Sequence, residues 1–385
     1  MAKYNFLIIG AGFFGATCAR VLTDKGYKCI IVEKESSVGG LCSDYFKDNI
    51  NIHNYSSHVI HTNDKSIIDF LSKYDTLIPI DYQIKSLNNN TYYSYPINMN
   101  SYKESYDEIY PDAIKEKLDK DIKDYGVEYR RNLEEEAIYL GGFKFYINCI
   151  KGYYEKLYHD ECKYLSSACI REIRKDLSYN QNYYPDKYIC VPEHGYTKLI
   201  ENIIGDDIDI ILNTDYLKNR EKLNNLADII ICTIPIDKFC NYIYGALPWI
   251  SLKFELKDFT KQTQNLLGLP VVRISDPNNG LLQIDEFKYL RQSDKSDKNY
   301  IMYTYPDDWN PDKKCIFAKN DERSEELLSK YRDFIQNNFG NIIFGGRQGL
   351  FRNLFIDETI KIAMEMSNDI INSLELQEEM KKLDG

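Results

Sequence analysis

An apolar strand breaking into a glycine turn, a polar stretch of helical periodicity and a later run of alternating residues together predict an α/β fold. Its parts are a Rossmann-like domain, a helical insertion and an antiparallel β-sheet layer. At about 150 residues per domain, the 385 residues suggest two domains or one large domain with insertions. With 43% apolar and 28% charged residues the composition is that of a globular chain, not a disordered or fibrous one. No apolar run reaches the roughly 18 residues of a membrane span and no secretory signal is visible, so the expectation is a soluble, cytoplasmic protein without a membrane partner. A net charge of −11 argues against a nucleic-acid partner. The ten cysteines form no Cys-x-x-Cys pair and the five histidines lack zinc-site spacing, so reduced thiols and no metal are expected.

The opening unit is the most informative. Tyr4 to Ile9 reads as a strand and ends in Gly10-Ala11-Gly12-Phe13-Phe14-Gly15; Ala16 to Lys25 then reads as a helix closed by Gly26, and Lys28 to Val32 as a second strand leading to Glu33. This is the order a dinucleotide requires. Gly10 permits the tight turn, Gly12 lets the backbone approach a pyrophosphate, Gly15 lets helix and strand pack closely, and Glu33 accepts from a ribose hydroxyl. The pyrophosphate faces the unpaired N–H groups of the helix start. The polar stretch Glu35-Ser36-Ser37-Val38-Gly39-Gly40 that follows is typical of flavoproteins and points to FAD rather than NAD(P).

From about Ile67 to Leu157 the pattern reads as helical, without strand alternation; Asn132 and Glu135 form a capping pair. A helix from Thr197 to Ile203 and strands at Ile208 to Leu212 and Ala227 to Thr233 return the chain to the nucleotide sheet. Val271 to Ile274 and Tyr300 to Tyr303 read as antiparallel strands. Ile342 to Phe344 is a strand before Gly345-Gly346-Arg347, and Asp357 caps a last helix whose free N–H groups are expected to face the flavin's pyrimidine edge. The expected organisation is a discontinuous FAD-binding domain (1–85, 190–245 and 340–385), a helical substrate domain (86–189) and an antiparallel sheet domain (246–339).

The chain resembles the bacterial UDP-galactopyranose mutase family. The resemblance runs from about Tyr4 to Leu374 and rests on the glycine turn, Glu33-Lys34 with Gly39-Gly40, His58-Val59-Ile60-His61-Thr62-Asn63-Asp64, Pro96-Ile97-Asn98-Met99-Asn100, Asn132-Leu133-Glu134-Glu135, Lys151-Gly152-Tyr153, Gly195 to Ile200, Ser251 to Glu255 and Phe344-Gly345-Gly346-Arg347. It implies FAD and an interconversion of pyranose and furanose forms of a nucleotide-linked sugar, in which reduced flavin N5 attacks the anomeric carbon, the diphosphate leaves, and the ring reopens and recloses. The implied cofactor contacts are Gly10, Gly12, Phe14, Gly15, Glu33, Lys34, Gly40, Leu41, His58, Val59, Gly346, Arg347 and Asp357. His58, Tyr153 and Arg352 are the catalytic candidates. Asn98, Tyr153, Tyr158, Arg171, Arg174, Tyr183, Gln283, Phe317 and Arg352 are the substrate candidates.

The pattern departs from the family in the ligand half. Glu172 and Gln283 stand where two diphosphate arginines are expected, Tyr158 where a tryptophan is, Phe317 where a tyrosine is, Asn353 and Phe355 where a tyrosine and an aspartate near the flavin are, and Ser56-Ser57 where Gly-Ala is. A changed substrate accounts for this clustering. The expected protein is a mutase for a nucleotide sugar other than ordinary galactose, feeding a surface polysaccharide, with NAD(P)H a candidate reductant and a homodimer a candidate assembly. The alternative is an FAD-dependent oxidase or dehydrogenase on the same fold, acting on a sugar or amine.

Overall fold

A computed structural model describes residues 3–171, 173–260, 266–291 and 296–383. The glycine unit folds as expected: strand Tyr4–Ile9, helix Phe13–Asp24 and strand Cys29–Val32. Five parallel strands form the nucleotide sheet in the order Asp209–Ile211, Cys29–Val32, Tyr4–Ile9, Ala227–Cys232, Ile342–Phe344. Both faces of its central strand are apolar because both are covered. On one, Phe6 and Ile8 pack with Ala16, Ala19 and Leu22 of the first helix and Ile360, Ala363 and Ile371 of the last, Ile356–Leu383. On the other, Leu7 and Ile9 pack with Leu328, Tyr331 and Ile335. Each fully buried aliphatic or aromatic side chain contributes about 1.5–3 kcal/mol by leaving water.

Tyr331 and its neighbours belong to helix Glu322–Asn338, a segment expected in the antiparallel layer. It is instead the crossover into strand Ile342–Phe344, and covering the parallel sheet is what buries its apolar side. The second sheet has seven strands in the order Phe317–Ala318, Trp249–Asp258, Tyr300–Asp307, Gln283–Glu286, Val271–Ile274, Ile84–Asn88, Thr91–Tyr95. It is antiparallel except where Val271–Ile274 runs parallel to Ile84–Asn88. The last two strands lie in the stretch expected to be helical. Burial does alternate along Ile84–Asn88, but two of the three buried positions are Ser86 and Asn88, so alternation of burial is not alternation of hydrophobicity.

Helices Met99–Tyr106, Pro111–Asp124, Leu133–Phe145 and Gly152–Tyr158 pack against this sheet. Lys156 joins the two layers: its Nζ lies 2.6–2.9 Å from the carbonyl oxygens of Ile274, Asp276, Asn279 and Leu281, which share its three N–H groups. It thereby fixes the turn between strands Val271–Ile274 and Gln283–Glu286. No disulfide links the described cysteines. Among the described residues no helix is long and apolar enough to cross a membrane.

The backbone approach is very close at the glycine turn, where a Cβ on Gly15 would lie 2.0 Å from the Gly10 carbonyl oxygen. Gly15→Ala is therefore expected to cost about 1–3 kcal/mol through overpacking, read as a lowered midpoint in urea unfolding followed by far-UV circular dichroism.

Candidate functional site

The carboxyl ends of the parallel strands open into one large cavity. Gly10, Glu33, Thr233 and Gly346 line it just beyond the ends of their strands, the position where α/β sheets bind ligands. The cavity encloses about 560 Å³ and extends from the glycine turn to the tyrosine-rich face of the seven-stranded sheet. At the cofactor end the backbone is shaped for close approach. Gly10 has φ +101°, and a Cβ there would meet Thr233 Oγ1 at 2.1 Å, whereas a Cβ on Gly12 would meet nothing within 4 Å. Gly12 thus faces open space, as a residue beneath a pyrophosphate must. Gly345 presses against the Phe14 ring, where a Cβ would lie 2.1 Å from two ring carbons.

Glu33 accepts from the N–H of Ala11 at 2.8 Å and of Glu35 at 2.9 Å. A carboxylate offers about four acceptor positions, so capacity remains for a ribose hydroxyl. Glycine clearance, helix N-terminus and acidic acceptor together fit FAD. Gly10, Gly12, Phe14, Gly15, Glu33, Lys34, Gly40, Leu41, His58, Val59, Gly346 and Arg347 all line the cavity. Arg347 donates to the carbonyls of Leu354 and Ile316 at 3.1 and 2.9 Å, and burial above all lowers its pKa from the usual guanidinium range.

His58 is held by its surroundings in one tautomer. Its Nδ1 lies 2.9 Å from the carbonyl oxygen of Ser56, so Nδ1 carries the hydrogen and Nε2 is an acceptor. Behind it, His53 Nδ1 accepts from the His58 N–H and His53 Nε2 faces Asn51 Oδ1, each at 2.9 Å, a pattern that requires the opposite tautomer. The loop is pinned from below by Asp285, whose carboxylate accepts from Ser56 Oγ and from the Ser57 N–H at 2.9–3.0 Å. Burial pushes the Asp285 carboxyl up, against the pull of these donors. Gln283 spends its amide nitrogen on the same network, 2.7 Å from Ser56 Oγ.

Tyr153, Tyr158, Tyr183, Arg171, Gln283 and Phe317 line the ligand end of the cavity. Arg171 is already engaged: both terminal nitrogens reach Glu358, at 2.9 and 2.8 Å, and one also donates to the Asn353 carbonyl. Although burial opposes its charge, the Arg171 fork and the Phe355 N–H hold the Glu358 carboxyl below the usual carboxylate range. Four expected residues fall outside the lining. Asn98 caps helix Met99–Tyr106, its Oδ1 accepting from Asn100 and Ser101, and is consumed by that task. Arg174 and Arg352 are exposed and absent from the cavity wall. Asp357 spends an oxygen on the N–H of Glu358, while Ile356 and Thr359 carry the helix start to the cavity. Glu172 lies outside the described residues.

The residue missed most completely is Arg273, which lines the cavity among Tyr95, Tyr153 and Tyr183. In sequence it sits within an apolar strand and carries no motif. Its only signal was a charge inside the run Val271-Val272-Arg273-Ile274.

Over residues 148–353 the chain matches the family model of UDP-galactopyranose mutase, and over residues 8–74 that of a NAD(P)-binding Rossmann-like domain. A probable UDP-galactopyranose mutase of Klebsiella pneumoniae is 26% identical over 383 residues, covering 99% of this chain and 98% of its own length. The dTDP-fucopyranose mutase of Escherichia coli is 26% identical over 366 residues, covering 93% of this chain and 96% of its own. The crystal structure of reduced UDP-galactopyranose mutase superposes with a TM-score of 0.72 at 14% identity over 96% of each chain, a likeness of fold.

Two outcomes follow from this geometry. Gly12→Ala leaves urea stability within about 0.5 kcal/mol of the parent but weakens FAD binding at least tenfold, measured by flavin fluorescence titration of the stripped protein. Burial pushes the pKa of His53 and of His58 down to about 3. The unfolded chain therefore binds protons below about pH 6.5 that the folded chain refuses, and stability falls as pH drops from 6.5 toward 3, by up to about 1.4 kcal/mol per unit for each histidine. His53→Gln is expected to flatten this slope in denaturation curves taken at pH 7.5, 6 and 5.

Proposed function

The chain belongs to the UDP-galactopyranose mutase family, and from that membership we propose an FAD-dependent mutase that interconverts pyranose and furanose forms of a nucleotide-linked sugar other than galactose. The observation that carries this reading is the single cavity in which the glycine cradle and the tyrosine-lined, arginine-bearing face meet. It lets a nucleotide sugar lie against the cofactor. Two relatives of equal identity are named for different sugars and nucleotides, which supports a site whose cofactor end is kept while its ligand end varies. FAD, bound and reduced, supplies nucleophilic catalysis at the anomeric carbon without net redox change.

The chain's own residues supply the rest. His58, neutral at physiological pH, presents Nε2 as an acceptor beside the cofactor cradle. Tyr153, Tyr158 and Tyr183 bring apolar ring faces that exclude water and hydroxyls that orient a sugar or base. Arg171, held by Glu358, closes the edge of the ligand end. We place the enzyme in the cytoplasm, as a homodimer with NAD(P)H as reductant, making furanose donors for a surface polysaccharide.

The test is to reduce the purified holoprotein with dithionite, offer a panel of UDP-, dTDP-, CDP- and GDP-sugars including UDP-galactose and dTDP-fucose, and separate the products by anion-exchange chromatography. A ring isomer from one of them other than UDP-galactose, with the flavin spectrum unchanged over turnover, is the expected result. Conversion of none of them, or stoichiometric flavin reduction by a substrate under anaerobic conditions, would overturn the reading.

A further inference from the structure

The ligand end of the cavity holds a cation for which none of the described residues provides a counter-charge. Strands Val271–Ile274 and Gln283–Glu286 pair so that Arg273 lies directly opposite Gln283, on the face that lines the cavity. Arg273 Nη1 donates to the Tyr95 hydroxyl and Nη2 to the Tyr183 hydroxyl, both at 2.7 Å. The guanidinium lies over the rings of Tyr95 and Tyr153 at 4.8 Å and of Tyr183 at 5.2 Å. Its Nε is buried and has no hydrogen-bond partner. Among the described residues no carboxylate lies within ion-pair distance of it.

The other cations lining this cavity are committed. Arg171 is bound by Glu358, Lys314 by Glu35 and Lys313 by Asp307, while Arg347 and Lys238 donate to backbone carbonyls; Lys34, paired with Glu35 at 3.7 Å, is largely exposed. Arg273 is half-buried, and a guanidinium partly withdrawn from water without an anion gains when its partner arrives with a ligand. Tyrosine faces offset part of that cost by cation–π attraction, and two phenol hydroxyls fix the plane of the fork, but neither supplies negative charge. Five N–H groups are present and two are used in these bonds, so donors remain for a second partner.

We propose that Arg273 binds the diphosphate of the nucleotide sugar, held in the orienting cage of Tyr95, Tyr153 and Tyr183. This rests on the mutase reading and goes beyond it by naming the residue that recognises the anion. Gln283 is then a spacer, its amide nitrogen turned to Ser56 and Asp285. Lys156 acts as a positioning residue, because the turn it clamps joins the strands of Arg273 and Gln283.

The test is calorimetric titration of the FAD-loaded protein with UDP, dTDP, CDP and GDP, and with the matching uncharged nucleosides. Arg273→Met is expected to weaken binding of the preferred diphosphate at least 20-fold, to leave nucleoside binding within threefold of the parent, and to make diphosphate binding less sensitive to salt. Arg273→Lys keeps the charge without the fork and is expected to weaken binding about five- to tenfold, and it substitutes for the methionine variant should that one fail to load FAD. Diphosphate binding within threefold of the parent in either variant would overturn the assignment while leaving the mutase reading intact. A parent protein that binds none of the four diphosphates would overturn both.

Discussion

The contact between the first helix and the first strand at Gly15 governs the rest of the molecule. Because Gly15 carries no Cβ, the helix can start directly over the carbonyl of Gly10, and its free N–H groups then point across the sheet's carboxyl edge. The same closeness sets the distance from helix Phe13–Asp24 to the sheet and so lets the last helix pack beside it on the same face. Gly10, with its positive φ, leaves room for Thr233, whose hydroxyl donates back to Ile9. Two adjacent strand ends thus meet at one point, with a glycine keeping it clear. A cavity follows from the backbone before any ligand-specific residue is chosen.

What surrounds that point is settled by charge. The cofactor end uses one buried carboxylate, Glu33, satisfied by two backbone N–H groups, and one half-buried guanidinium, Arg347, satisfied by two carbonyls. Neither needs an ion partner. The ligand end is arranged differently, with Arg171 neutralised by Glu358, Asp285 enclosed by hydroxyl, amide and backbone donors, and Arg273 left among aromatic rings. On the proposed assignment, fixed dipoles serve the end that holds the cofactor, and a guanidinium among aromatic rings serves the end that exchanges its ligand.

The amino-terminal unit was legible because its chemistry is local: a glycine turn, a helix and an acidic residue fall within thirty-odd positions, and their spacing alone dictates geometry. The parallel strands were legible for a related reason, since sheets covered on both faces leave unbroken apolar runs such as Ile229-Ile230-Ile231. The strands at Ile84–Asn88 and Thr91–Tyr95 were hidden because their inward positions include Ser86, Asn88 and Ser94. Asn98 was misread for a simpler reason: a polar residue in a matching motif looked like a ligand contact, and its hydrogen bonds show a helix cap. Motif counting registered an arginine lost at Gln283, but the cation facing it lies across a strand pair whose register only the fold reveals.

The cysteines, unremarkable as packing residues, bear on how such a protein survives its own chemistry. A flavin kept reduced in air generates peroxide, and peroxide attacks thiolates. Burial pushes Cys42, which lines the cavity, up to about 12, and holds Cys18, Cys162, Cys190, Cys232 and Cys315 at about the same value. These sulfurs stay protonated at neutral pH. Beside the reduced flavin that the proposed function calls for, these six thiols offer little thiolate for peroxide to attack, a durability that arises from the density of the interior.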